Sequence, residues 1–212
     1  MLANTKSGHD AKSRMSGEER RAQIVRMAFD LFAQNGFRGT TTRELAHAVG
    51  VSEPVLYQHF PNKKELYTAI VQHIIEADAV ESCSRMESIL SEGDERRVLQ
   101  RLGEMILAWY LDDPRIIRLL LFSSLEGHEL AEIWHEQVLT AFFAPFDGRM
   151  AGWVEEGRLK KMEPTLLTRA FVGMIAHYAT VTVVFKHALL PLSREETVAR
   201  FVEIFISGAE RR

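Results

Sequence analysis

The chain has 212 residues, 46% of them hydrophobic and 26% charged, with a formal net charge of -3; this is enough to bury a sizeable core in one domain or two small ones, and it excludes a disordered chain. A single cysteine, Cys83, excludes an internal disulfide framework and a multi-cysteine zinc site. Residues 1–77 carry 10 Lys and Arg against 8 Asp and Glu, net +2, while residues 78–212 carry 16 against 21, net -5, so only the front has the mildly basic character that local DNA contact favours.

Met1 to Arg14 lacks the apolar stretch of a secretory signal, and residues 1–15 read as a disordered tail. Ser16 and Glu19 then form a capping box, in which the hydroxyl takes an orphan N–H and the carboxylate reaches back. They open a first helix over 17–35, closed by Asn35-Gly36 because glycine tolerates the left-handed position. Thr41 with Glu44, Asn62 with Glu65 and Ser193 with Glu196 repeat the box, and Asp113-Pro114 and Glu163-Pro164 add two further starts. The remaining helices are expected at 42–49, 53–59, 63–91, 95–111, 114–124, 128–156, 164–187 and 194–209. Pro145 should kink or split the seventh of the nine. The β-branched run Thr180 to Val184 has helical neighbours and no partner strand, so it is assigned to helix. The charge-free stretch Ala170 to Phe185 holds His177, Tyr178, Thr180 and Thr182 and falls short of the roughly 18 apolar residues of a membrane span. A cytoplasmic, all-α protein without a membrane span is expected. Its domain boundary falls within the fourth helix, giving 16–77 and 78–212.

Thr41 to Phe60 carries the functional signal. Two short helices flank Val49-Gly50-Val51, with Leu45, Ala46, Val49, Val55 and Leu56 facing inward, Ser52 capping the second helix and Gly50 permitting the tight turn. That is the pattern of a helix-turn-helix, whose second helix enters the major groove. Thr41, Thr42, Tyr57, His59 and Lys63 are outward donors suited to phosphate oxygens, several of them at helix N-termini. Arg43, Ser52, Glu53, Pro54 and Gln58 would face base edges, Arg43 suiting guanine and Gln58 adenine.

The run from Ile24 to Val71 resembles the N-terminal domain of TetR-family regulators. The resemblance rests on Phe32-x-x-x-Gly36-Phe37, the Thr-Thr-x-x-x-Leu-Ala core, Gly50-Val51-Ser52, Leu56-Tyr57-x-His59-Phe60 and Lys63-x-x-Leu66. It implies that Thr42, Tyr57, His59 and Lys63 touch the DNA backbone and that positions from Ser52 to Gln58 read bases. Many members have Lys or Arg then Gly where this chain has Glu53-Pro54, so the operator cannot be borrowed from a relative. The resemblance further implies a C-terminal domain that binds a small, often hydrophobic effector, a homodimer through the last two helices, and a near-palindromic double-stranded operator from which a repressor is released.

The second half carries no motif of comparable strength. Met105, Trp109, Tyr110, Phe122, Trp134, Phe143, Met174, His177 and Tyr178 are the residues expected to line an effector cavity, with core packing as the plainer reading for each. Ala170, Gly173, Ala176 and Ala179 would allow close approach of a second subunit, with Val172, Val183, Phe201, Phe205 and Ile206 supplying apolar area. The fourth helix would act as a lever between the two parts. A helical carrier that has lost DNA binding is the second reading. An enzyme is the third: the chain lacks a nucleophile elbow, a P-loop and a dinucleotide glycine motif, and His128 and His135 are too far apart for a helical metal pair. No catalytic residue, metal ligand or cofactor is assigned.

Overall fold

The computed structural model describes residues 15–127, 136, 140–186 and 190–209, with the side chains of 75–83 and 141 outside the description. Among the described residues the elements are α1 (Gly17–Gly39), α2 (Thr42–Val49), α3 (Glu53–His59), α4 (Lys63–Leu90), α5 (Glu95–Asp112), α6 (Pro114–Glu126), α7 (Thr140–Glu155), α8 (Pro164–Phe185) and α9 (Arg194–Ala209). The fold is all-α, as the capping pattern predicts. Both reciprocal hydrogen bonds of the capping box are present at Ser16–Glu19, Thr41–Glu44 and Ser193–Glu196. Asn62 Oδ1 likewise accepts the Glu65 N–H at 2.9 Å.

Three local expectations need correction. Ser52 occupies the N-cap position of α3 but makes no side-chain cap bond, so its hydroxyl is left exposed. Pro145 lies inside the continuous helix Thr140–Glu155 and does not split it; the expected start of that helix at 128 lies outside the described residues. The first helix does not stop at Asn35-Gly36. Gly36 breaks it with φ 73 and ψ 178, and a short helical piece resumes to Gly39.

Two apolar cores divide the molecule. The first joins Ile24, Ala28 and Phe32 of α1 to Leu45 and Val49 of α2, Leu56 and Phe60 at α3, and Leu66, Tyr67 and Ile70 of α4, with Leu119 of α6 reaching in. The second joins Met86 and Ile89 of α4 to Leu99 and Leu102 of α5, Phe146 and Trp153 of α7, Phe171 and Ile175 of α8, and Val198 and Phe205 of α9. The long helix α4 therefore contributes to both. By length and a mean hydropathy of 1.3, α8 could cross a membrane. Its Leu167, Phe171, Ile175 and Ala179 stripe is buried against the second core.

A polar and apolar seam ties α1 to α6. Arg115 pairs with Asp30 at 2.8 Å and lies over the Phe29 ring at 4.5 Å. One turn on, Arg118 donates to the carbonyls of Ala33 and Gln34, which close the main part of α1. Glu126 then accepts the N–H groups of Phe37 and Arg38. The positions 115, 118, 122 and 126 recur at helical spacing, so one face of α6 meets α1 along its length.

Candidate nucleic-acid interface

Helices α2 and α3 are positioned by their buried residues. Leu45, Ala46, Val49 and Leu56 enter the first core. Gly50 has φ 75 and ψ 34, the left-handed conformation glycine adopts without strain, and Val51 N–H closes back on Ala46 O at 2.9 Å. The turn brings the chain back so that the N-terminus of α3 lies beside that of α2. Thr42 and Glu53 stand at the first positions of α2 and α3, and the Thr42 hydroxyl donates to Glu53 Oε2 at 2.9 Å. This bond ties the two helices together directly. It also occupies groups that the sequence reading assigned separately to phosphate and to base.

The other end of α3 is held by a residue sequence reasoning missed. Arg21 of α1 donates to His59 O at 2.6 Å, and its guanidinium lies 4.0 Å from the Phe60 ring centroid. An accepting carbonyl at a helix C-terminus and an aromatic face both favour a cation. No local sequence signal points from Arg21 to His59, which lies 38 residues away.

Thr41, Arg43, Ser52, Pro54, Tyr57 and Gln58 are exposed, and Thr42, Glu53 and His59 are half-buried. Tyr57 keeps 43% of its surface, large for an aromatic residue. Lys63 is placed differently from its sequence assignment. Its ammonium turns inward, donating to Phe37 O at 2.7 Å and Thr40 O at 2.9 Å, and sits 4.2 Å from the Phe37 ring centroid. Burial lowers its pKa, and the nearby Glu126 charge opposes that shift.

The residues expected to line an effector cavity fall in several places. Met105, Tyr110, Met174 and Tyr178 are half-buried against the second core, and Phe143 is part of it, beneath the Arg169 guanidinium at 3.4 Å. Burial pushes the Tyr110 phenol pKa up. Trp109 packs against the first core, and Phe122 lies on the α1–α6 seam beside Gly36. His177 is exposed on α8, and Trp134 lies outside the described residues. Of the residues offered for dimer contact, Val172, Ala179, Phe205 and Ile206 are buried within their own chain. Ala170 and Gly173 remain exposed, joined by Leu166 and Ile204, which keep 55% and 61% of their surface.

A helical unit in which a tight turn sets the N-termini of α2 and α3 side by side, packed against a further helical core, has the architecture of a helix-turn-helix DNA-binding transcription regulator. Residues 24–70 match the family model of bacterial regulatory proteins of the tetR family. Over this region the chain resembles the TetR family of bacterial transcriptional regulators. It is 27% identical over 168 residues to the HTH-type transcriptional regulator RutR of Escherichia coli K12, covering 79% of this chain and 77% of RutR. It is 39% identical over 113 residues to the HTH-type transcriptional activator FasR of Mycolicibacterium smegmatis, covering 53% of this chain and 50% of FasR. In fold it is similar to FadR of Bacillus subtilis, solved in complex with stearoyl-CoA, with a TM-score of 0.69 at 19% identity over 88% of this chain and 98% of FadR.

Proposed function

We propose that the protein is a cytoplasmic repressor that binds a near-palindromic operator as a homodimer and is released by a small, apolar effector. The observation that carries the DNA-binding part is the rigid pairing of the α2 and α3 N-termini through Thr42 and Glu53. A pre-assembled helix pair with exposed Arg43, Ser52, Tyr57 and Gln58 suits a docked recognition helix. Thr41, Thr42, Tyr57 and His59 meet the backbone in this reading, while Arg43, Ser52, Glu53, Pro54 and Gln58 form the base-facing edge.

Dimerisation is assigned to the outer faces of α8 and α9, where Leu166 and Ile204 are exposed beside the small residues Ala170 and Gly173. A two-fold pair would place the recognition helices one DNA turn apart. The effector site is assigned to the second core, around Met105, Tyr110, Phe143, Met174 and Tyr178. Its apolar, aromatic side chains suit a long-chain acyl ligand, the chemistry of the stearoyl-CoA in the FadR complex. The effector shifts the equilibrium only as far as it prefers the non-binding conformation.

The test is a titration of operator DNA at several salt concentrations. A DNA-binding regulator loses affinity steeply as salt rises, because each neutralised phosphate releases counterions. A helical carrier without DNA function binds no fragment near physiological salt. An apolar compound that raises the melting temperature and also dissociates the DNA complex identifies the effector class.

A further inference from the structure

We infer that Glu126, the last residue of α6 and far outside the helix-turn-helix, is a positioning residue for DNA binding, because it fixes the turn from which α2 and α4 are placed.

Residues 36–40 join α1 to α2, and they are held from opposite sides. On the donor side, Glu126 Oε2 accepts the Phe37 N–H at 3.0 Å, and its two oxygens accept the Arg38 N–H at 3.2 and 3.3 Å. The Arg38 guanidinium returns a bond to the Glu126 main-chain oxygen at 3.1 Å, so each helix end caps the other. On the acceptor side, the Lys63 ammonium takes the carbonyls of Phe37 and Thr40. Inside, the buried Thr40 hydroxyl donates to Gly36 O at 2.8 Å. A carboxylate thus sits at the N–H end of this short piece and an ammonium at its C=O end, the arrangement its peptide dipoles favour.

The contact is closely fitted. A Cβ on Gly36 would stand 2.7 Å from Glu126 Oε1 and 2.9 Å from Phe122 Cδ1. Thr41, the N-cap of α2, follows this turn directly, and Lys63 opens α4. Freeing the Phe37 and Arg38 N–H groups would therefore loosen the base on which Thr41, Thr42 and the α3 N-terminus are oriented. Charge-assisted hydrogen bonds of this kind are the stronger class. The hydrogen bonds of Glu126 go to Phe37 and Arg38, outside α2 and α3, so its contribution to DNA binding is indirect.

This inference rests on the DNA-binding reading above, and its test keeps the two apart. Wild-type protein, E126A and E126Q are titrated against DNA selected on the wild type, across a salt series and well below their melting temperatures. Amide exchange is followed at Phe37, Arg38 and Glu44. E126A is expected to weaken binding about tenfold, with an unchanged salt slope, an unchanged order of sequence preference and faster exchange at all three amides. E126Q keeps an acceptor oxygen and should lie between E126A and wild type, which preserves the test should E126A fail to fold. E126A that melts earlier yet binds DNA with wild-type affinity overturns the inference and leaves a role in stability alone. A change in salt slope of about one phosphate contact also overturns it. Wild-type protein that selects no DNA overturns the DNA-binding reading itself.

Discussion

Lys63 Nζ donates to Phe37 O at 2.7 Å and lies 4.2 Å from the centroid of the Phe37 ring. A lysine at the start of α4 that reads as a phosphate contact in sequence is, in the structure, a tie between α4 and the α1–α2 turn. Lys63→Met keeps much of the aliphatic stem and removes the charge-assisted bonds. It should destabilise the fold by about 1.5–3 kcal/mol, seen as a lower melting temperature, with no loss of salt slope in DNA binding. Unchanged stability with a slope reduced by about 0.9 would show that Lys63 contacts phosphate instead.

Gly36 combines φ 73 with two neighbours at sub-contact distance from its missing Cβ. Gly36→Ala is therefore expected to cost about 1–3 kcal/mol, since both backbone strain and overpacking oppose it. Gly148→Ala, inside α7 with open space at its Cβ, serves as the control and should be neutral or stabilising by up to about 1 kcal/mol. Equal melting temperatures for the two variants would contradict the seam geometry.

Glu19, Glu44 and Glu196 all have pKa values lowered below 4.5, foremost by accepting the backbone N–H of their capping partners. Their folded pKa values lie below the unfolded ones. The stabilisation is thus complete above the unfolded pKa and is lost as pH falls through the folded values. Melting temperature should decline on acidification below about pH 4.5, and Glu44→Gln should flatten part of that decline. A Glu44→Gln profile that falls as steeply as wild type would place the acid sensitivity elsewhere.

Tyr57 and Gln58 are both exposed on α3 but are assigned different tasks. Tyr57→Phe should weaken all DNA sequences alike, by about 0.5–1.5 kcal/mol for one hydrogen bond. Gln58→Ala should relax preference at one base pair, worth about 1–3 kcal/mol of discrimination. Competition binding with single-base operator variants separates them, and a uniform loss for Gln58→Ala would remove it from base reading.

What the sequence disclosed was local. Capping boxes join residues three apart, so Ser16, Thr41, Asn62 and Ser193 could be read directly, and Gly50 announced its turn. The placement of Lys63, Arg21 and Glu126 depends on contacts 23 to 89 residues away in sequence, which no short pattern encodes. Gly36 shows the limit within one residue. Its positive φ was legible, but the resumed helix depends on a carboxylate supplied by α6. The C-terminal aromatics were equally opaque, because core, seam and cavity all call for the same residue types. Trp109 and Phe122 proved to sit beside the DNA-binding unit.

The central claim is that two copies of this helix-turn-helix read DNA together, and unbiased selection of bound duplexes by the purified protein tests it most directly. The account predicts enrichment of a near-palindrome whose half-site centres lie about 34–36 Å apart along the duplex, with binding that weakens steeply as salt rises. Failure to enrich any sequence, or enrichment of a single asymmetric site bound by one subunit, would contradict it.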